Sequence, residues 1–136
     1  MNLFPPVTEA TLAAFSDAWN KHDVDKLMSF LADDCVFETA IGSEAFGSRH
    51  VGRDAVHKAF ANAWQTVPDA QWRNAQHFVH GNFGISQWTF VGTALDGSRI
   101  ETEGVDIFSF RDGKILSKKA FRKIRANLPA NPPAKN

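Results

Sequence analysis

The sequence predicts an α+β fold in which three N-terminal helices cover one face of a curved, mainly antiparallel sheet. Apolar residues recur at helical spacing as far as about residue 65. The second half instead shows β-rich runs separated by Gly81-Asn82, Asp96-Gly97 and Asp112-Gly113, which are strong hairpin signals. At 136 residues and 43% apolar, the chain fits one domain with one core.

The elements follow in order. Thr8 can cap a first helix that runs to about Asn20, with Leu12, Phe15 and Trp19 on one face. Asp23 opens a second helix, where Val24, Leu27, Met28 and Leu31 stand at i, i+3, i+4 and i+7, and Asp33-Asp34 ends it. Residues 35–39 read as a short strand, and residues 41–52, with Gly and Ser, as a loop. A third helix from Arg53 to about Gln65 buries Val56, Phe60 and Trp64, and Pro68 closes it. Four strands are then expected over residues 70–80, 83–94, 99–111 and 114–124. The domain spans residues 1–125, and the Pro-rich residues 126–136 form a flexible tail.

Composition removes several function classes. Fifteen Lys plus Arg balance fifteen Asp plus Glu, which argues against nucleic acid as a partner. A single Cys allows no internal disulfide. No apolar run reaches the ~20 residues that cross a bilayer, so no membrane partner is expected. The N-terminus lacks the basic and apolar regions of a secretory signal, and a cytoplasmic protein is the expectation. Twelve Phe and four Trp stand beside no Tyr, which excludes any chemistry needing a phenol. Charge is uneven. Residues 1–69 carry ten acids and five bases, residues 70–136 the reverse, and six of those bases lie between Lys114 and Arg125. That strip is either a solvated strand face or a surface complementary to an acidic one.

Four segments carry a resemblance: Trp19-Asn20-Lys21-His22-Asp23-Val24-Asp25, Phe30-Leu31-Ala32-Asp33-Asp34, Ile41-Gly42-Ser43-Glu44, and the strand and turn from Gly104-Val105-Asp106 through Asp112-Gly113-Lys114-Ile115. With the order of elements, they resemble the nuclear transport factor 2-like (cystatin-like) superfamily over residues 8–125. Within it, SnoaL-like proteins and ketosteroid isomerases are most similar. The resemblance implies a cone-shaped α+β barrel around an apolar pocket for a small hydrophobic molecule, needing no cofactor, and a homodimer packed through the sheets. It also implies where isomerase groups would fall. Phe15 and Phe60 take the phenol positions and Thr39 the general-base position, so neither donor nor base is present; Asp106 alone matches. Steroid isomerase chemistry is therefore not expected.

Asp106 interrupts an apolar strand, with Phe108 and Phe110 on its own face. A carboxyl there is either an acid–base group or a structural group satisfied by a strand neighbour. Its partner depends on register. A three-residue loop over Arg111-Asp112-Gly113 puts Asp106 opposite Lys118, and a two-residue turn puts it opposite Lys119. The isomerase pattern favours Lys118, giving Asp106 and Lys118 as the candidate catalytic pair. The expected pocket wall is Phe15, Trp19, Phe37, Thr39, His50, Phe60, Trp64, Trp88 and Phe108, although Trp88 could equally face a dimer partner. Glu38 should face away from the cavity if Thr39 faces in. No metal is expected, because His77 and His80 point to opposite faces of a strand, and His22 and His57 have no carboxylate at ligand spacing. Three readings stay open: a proton-transfer enzyme of the isomerase, cyclase or dehydratase kind, a non-catalytic ligand-binding module, and a structural homodimer.

Overall fold

In the computed structural model, which describes residues 3–132, helices α1 (Glu9–Asn20), α2 (Val24–Met28) and α3 (Arg53–Thr66) pack on one face of a six-stranded sheet. The strands are β1 (Leu31–Glu38), β2 (Arg49–Val51), β3 (Gln71–His80), β4 (Phe83–Thr93), β5 (Arg99–Arg111) and β6 (Lys114–Arg122). Their order across the sheet is β2-β1-β6-β5-β4-β3. Every pairing is antiparallel except β1 with β6. The sheet stays open, with β2 and β3 as its edges, so it is a curved wall rather than a closed barrel. Met1, Asn2 and the last four residues of the expected tail lie outside the described residues.

The helices start where their sequences say. Thr8 and Thr11 form a reciprocal capping box, and Asp23 accepts from the Lys26 amide at 3.0 Å. Leu12, Phe15, Ala18 and Trp19 form the buried stripe of α1. The core joins them to Leu27, Met28, Cys35, Phe37, Val56, Phe60, Phe108 and Ile115. Asn20 ties the end of α1 to the sheet by using its side-chain amide as a strand would. Its Nδ2 donates to the Trp72 carbonyl and its Oδ1 accepts from the Trp72 amide.

The boundaries differ from expectation in three places. The second helix stops at Met28, and Leu31 already belongs to β1, because the Ile115 amide donates to Phe30 O and draws the chain beside β6. The ladder then breaks between Leu31 and Val36, and the exposed Asp33 and Asp34 sit in that break. Part of the expected loop is β2, which lies along β1 with Glu38 opposite Arg49. The tail is pinned at its start. Leu128 and Arg99 exchange both backbone hydrogen bonds, and Arg99 Nε donates to the Pro129 carbonyl.

The hairpin between β5 and β6 decides what faces the helices. Asp112 and Gly113 both have positive φ, at 51° and 72°, and Arg111 pairs with Lys114 across this two-residue turn. Leu116 then forms a bulge, and beyond it Phe108 pairs with Lys118 and Asp106 with Ala120. Neither register read from the sequence is therefore the real one. The bulge adds one residue to the two-residue register, which returns Lys118 to the face of Asp106 and Phe108. The two side chains meet diagonally rather than face to face.

Candidate active site

A cavity of about 230 Å³ opens between the concave face of the sheet and helices α1 and α3. Its wall is mostly apolar and aromatic, with Trp19, Phe37, Trp72, Trp88, Phe90 and Ala63 among the lining residues. Behind it lies a much smaller chamber of about 20 Å³, where Phe15 and Phe108 meet. Asp106, Lys118, Trp19, Trp72 and Trp88 line both spaces, so the charged pair stands where they adjoin.

Lys118 Nζ lies 3.1 Å from Asp106 Oδ1, with the two side chains 8% and 9% exposed. The other carboxylate oxygen accepts a hydrogen bond from Trp88 Nε1 at 3.0 Å. The Lys118 contact is close in distance but not aligned as a hydrogen bond, which leaves Oδ1 with open acceptor capacity. The ammonium also sits over the rings of Phe37 at 4.5 Å, Trp19 at 5.1 Å and Phe60 at 5.7 Å. Such a cage attracts a desolvated cation through the negative ring faces. One buried carboxylate is thus held by a cation and an indole N–H, and the cation is held by aromatic rings.

The residues expected on the pocket wall separate by depth. Trp19, Phe37, Thr39 and Trp88 line the main cavity, with Phe15 and Phe108 on the inner chamber. Phe60 does not reach the surface of either. It is 0% exposed and packs behind Trp19 and Phe37, at ring distances of 4.7 and 5.0 Å. Trp64 is also set back, between Trp19 and a stacked His22. His50 stacks on Phe37 from the far side and lines a separate surface depression beside α3. Glu38 accepts from Arg49 at 2.7 Å and is not part of the cavity. Trp88 faces the pocket, because it shares the inward face of the sheet with Phe90 and Asp106.

The sequence reading left out Trp72, Phe90, Asn62 and Arg122, all on the main cavity. Trp72 was masked by a bulge in β3. Register shifts between Arg73 and Gln76, where Asn74 has φ of 56°, so Trp72 and His77 share a face despite odd spacing. Among the described residues, no three His, Cys, Asp or Glu side chains converge as a metal site would require. Nor is any helix long and apolar enough to cross a membrane.

His77 Nδ1 lies 2.7 Å from Ser86 Oγ, and Ser86 is the register partner of Asp106. Burial pulls the His77 imidazole below its ordinary 6.5, with the Asp106 charge acting in the opposite sense. The unfolded chain therefore binds this proton first as pH falls. Stability held above about pH 6.5 should decline below it, until the folded value is passed. Melting temperatures taken between about pH 7.5 and about pH 5.5 should fall in the wild type and fall less in His77→Gln. Equal slopes would remove His77 from that dependence.

The SnoaL-like domain model matches residues 12–118, from α1 through the lysine of the buried pair. The chain belongs to the SnoaL-like domain family. Its place is within the nuclear transport factor 2-like superfamily. Among solved structures, a provisional polyketide cyclase from Xanthomonas campestris pv. campestris is similar at TM-score 0.72 and 21% identity, covering 81% of this chain and 85% of its own. A protein of unknown function with a cystatin-like fold, from Xanthomonas campestris, gives 0.71 and 21%, covering 82% and 86%. A protein with a ketosteroid isomerase-like fold from Catenulispora acidiphila, in complex with trimethylamine, gives 0.72 and 15%, covering 85% and 86%. These identities speak for the fold alone. No curated protein matches the SnoaL-like chain by sequence.

Proposed function

We propose that the cavity binds a small, mostly apolar cyclic molecule and moves a proton on it, with Asp106 as the acid–base group. The observation that carries this is a buried carboxylate on the cavity wall, fixed by Lys118 and Trp88 yet with acceptor capacity on Oδ1. In this reading Asp106 takes a proton from carbon next to a carbonyl. The C–H electron pair passes to the carbonyl oxygen, and Lys118 balances the enolate charge. Return of the proton to another carbon completes an isomerisation; attack of the enolate carbon on a second carbonyl, with the proton on Asp106 passing to the new alkoxide oxygen, gives a cyclisation. No cofactor is required by either step. The steroid isomerase route is not proposed, since Phe15 and Thr39 supply neither a phenol nor a base.

The test is hydrogen exchange at the α-carbon of 2-tetralone in deuterated water, followed by NMR. Wild-type protein should accelerate exchange above the buffer rate, and Asp106→Asn should not. Binding of 2-tetralone without faster exchange would leave a non-catalytic binding module. That second reading is supported by the engagement of both Asp106 oxygens with protein groups.

We also propose a homodimer packed through the outer face of the sheet. Phe78 and Phe121 are 56% and 51% exposed there. Phe78, Ile85 and Ile107 stand in one cross-strand row, and Val105 pairs with Phe121 in the next. An apolar face of this kind calls for a self-complementary partner. Light scattering should give twice the chain mass of 15.1 kDa. A monomer mass at high protein concentration would reject it.

A further inference from the structure

The basic strip of the last strand is not uniform. Lys114 donates to Ser29 O, Lys123 to Glu103 and Arg125 to Glu101, all on the exposed surface. Two bases, Lys118 and Arg122, instead line the cavity, with Ala120 between them. Asp106 is the one carboxylate in that lining, and it is committed to Lys118. Two cations against one anion leave the cavity with a single excess positive charge, located at Arg122. Its guanidinium stacks on Phe90 at 4.8 Å, and no acceptor among the described residues lies within hydrogen-bond or ion-pair distance of it.

A second donor is also open. Trp19 lines both spaces, and its indole N–H is buried without an acceptor. A buried donor left unpaired, or a partly desolvated cation without a counter-charge, is costly unless something arrives to satisfy it. Burial pulls the Arg122 guanidinium below its usual range, with Asp106 opposing that shift, which fits a cation short of solvent. The cavity's roughly 230 Å³ falls below the ~300–1,000 Å³ of pockets that enclose drug-sized ligands. One or two rings fit this space better than a polycyclic skeleton.

We propose that the ligand is a one- or two-ring apolar molecule bearing an anionic oxygen group, a carboxylate or an acidic enol, and that Arg122 is the residue that selects it. This rests on the reading of the cavity as a ligand site and names its ligand class. The rings lie against Trp19, Trp72 and Trp88, and the anionic group is held at Arg122. Two residues along β6, about 7 Å, separate Arg122 from the strand position opposite Asp106. A ligand spanning that distance puts its anion on the arginine and a ring carbon at the carboxylate. The fork of the guanidinium suits a carboxylate, and charge-assisted hydrogen bonds are roughly twice as strong as neutral ones.

The test compares 2-naphthoate with its neutral isostere 2-naphthamide by titration calorimetry on the full chain. Wild type should bind the carboxylate about 10–100-fold more tightly than the amide. Arg122→Gln should abolish that preference by weakening carboxylate binding about 10–100-fold more than amide binding, and Arg122→Lys should keep part of it. Melting curves on both variants establish that they fold. Amide binding without a preference for the carboxylate would overturn the anion proposal alone, leaving the cavity reading intact. A preference that survives Arg122→Gln would also overturn it, by moving the anion to Lys118. Failure of both probes to bind would overturn the cavity reading and this inference with it.

Discussion

Replacing Asp106 with Asn should lower proton-transfer turnover by ~10²–10⁴-fold, the usual range for a general acid–base group. The same change should cost roughly 3–5 kcal/mol of stability, because it strands the Lys118 ammonium in a site nearly closed to water. Asn can still accept from Trp88 Nε1, so shape and that hydrogen bond survive. A companion variant separates the two losses. Asp106→Asn combined with Lys118→Met removes both charges together while keeping an acceptor for Trp88 Nε1, and so avoids the cost of leaving one buried charge alone. That double variant should melt near the wild type and remain inactive. A single Asp106→Asn variant that melts and turns over like the wild type would remove the carboxylate from both roles.

Phe60→Ala should be the most damaging change away from the charged pair, at about 3–5 kcal/mol. Phe60 is fully buried and touches Phe15, Trp19 and Phe37 edge-on, each a wall of one of the two spaces. The void left behind lies next to the main cavity, so Trp19 and Phe37 would lose their backing and the Lys118 cage one of its rings. Thermal unfolding should come roughly 10–20 °C lower. Ligand binding should weaken as well, even though Phe60 itself touches no ligand space. An unchanged melting temperature would show that the core collapses around the gap at little cost.

Much of this was legible in the residues. Leu12, Phe15 and Trp19 at helical spacing located α1 and its inward face, and the dipeptides Gly81-Asn82 and Asp112-Gly113 marked two of the hairpins. Asp106 and Lys118 were read as a pair only through the resemblance to the isomerase pattern, since the turn residues left Lys118 and Lys119 both open as partners. What escaped was every place where parity breaks. The Leu116 bulge made Ala120 the true cross-strand neighbour of Asp106, and the β3 irregularity near Asn74 hid Trp72. Both involve one extra residue with no Gly or Pro to announce it. Depth was the other invisible quantity. Phe60, Trp64 and Trp88 share a chemistry in the sequence, but only packing distinguishes a wall from its backing. Arg122 shares the strand parity of Lys118, yet its lack of a carboxylate depends on where Glu101 and Glu103 find their partners.

The position of β6 bears on how the chain reaches this state. It is the last strand in sequence but lies in the middle of the sheet, between β1 and β5. Leu31 pairs with Ile115, 84 positions further along the chain. Contacts of such long sequence separation slow folding, toward the millisecond-to-second range of sheet-dominated domains. During synthesis the helices and the β3–β5 meander can form early, while Lys118, Ala120 and Arg122 arrive only with the closing segment. Until then β1 and β5 each present an unpaired edge, the kind of surface on which chains template one another. A chain cut short before Lys114 would keep both edges open, and its fate should be aggregation rather than a smaller folded protein.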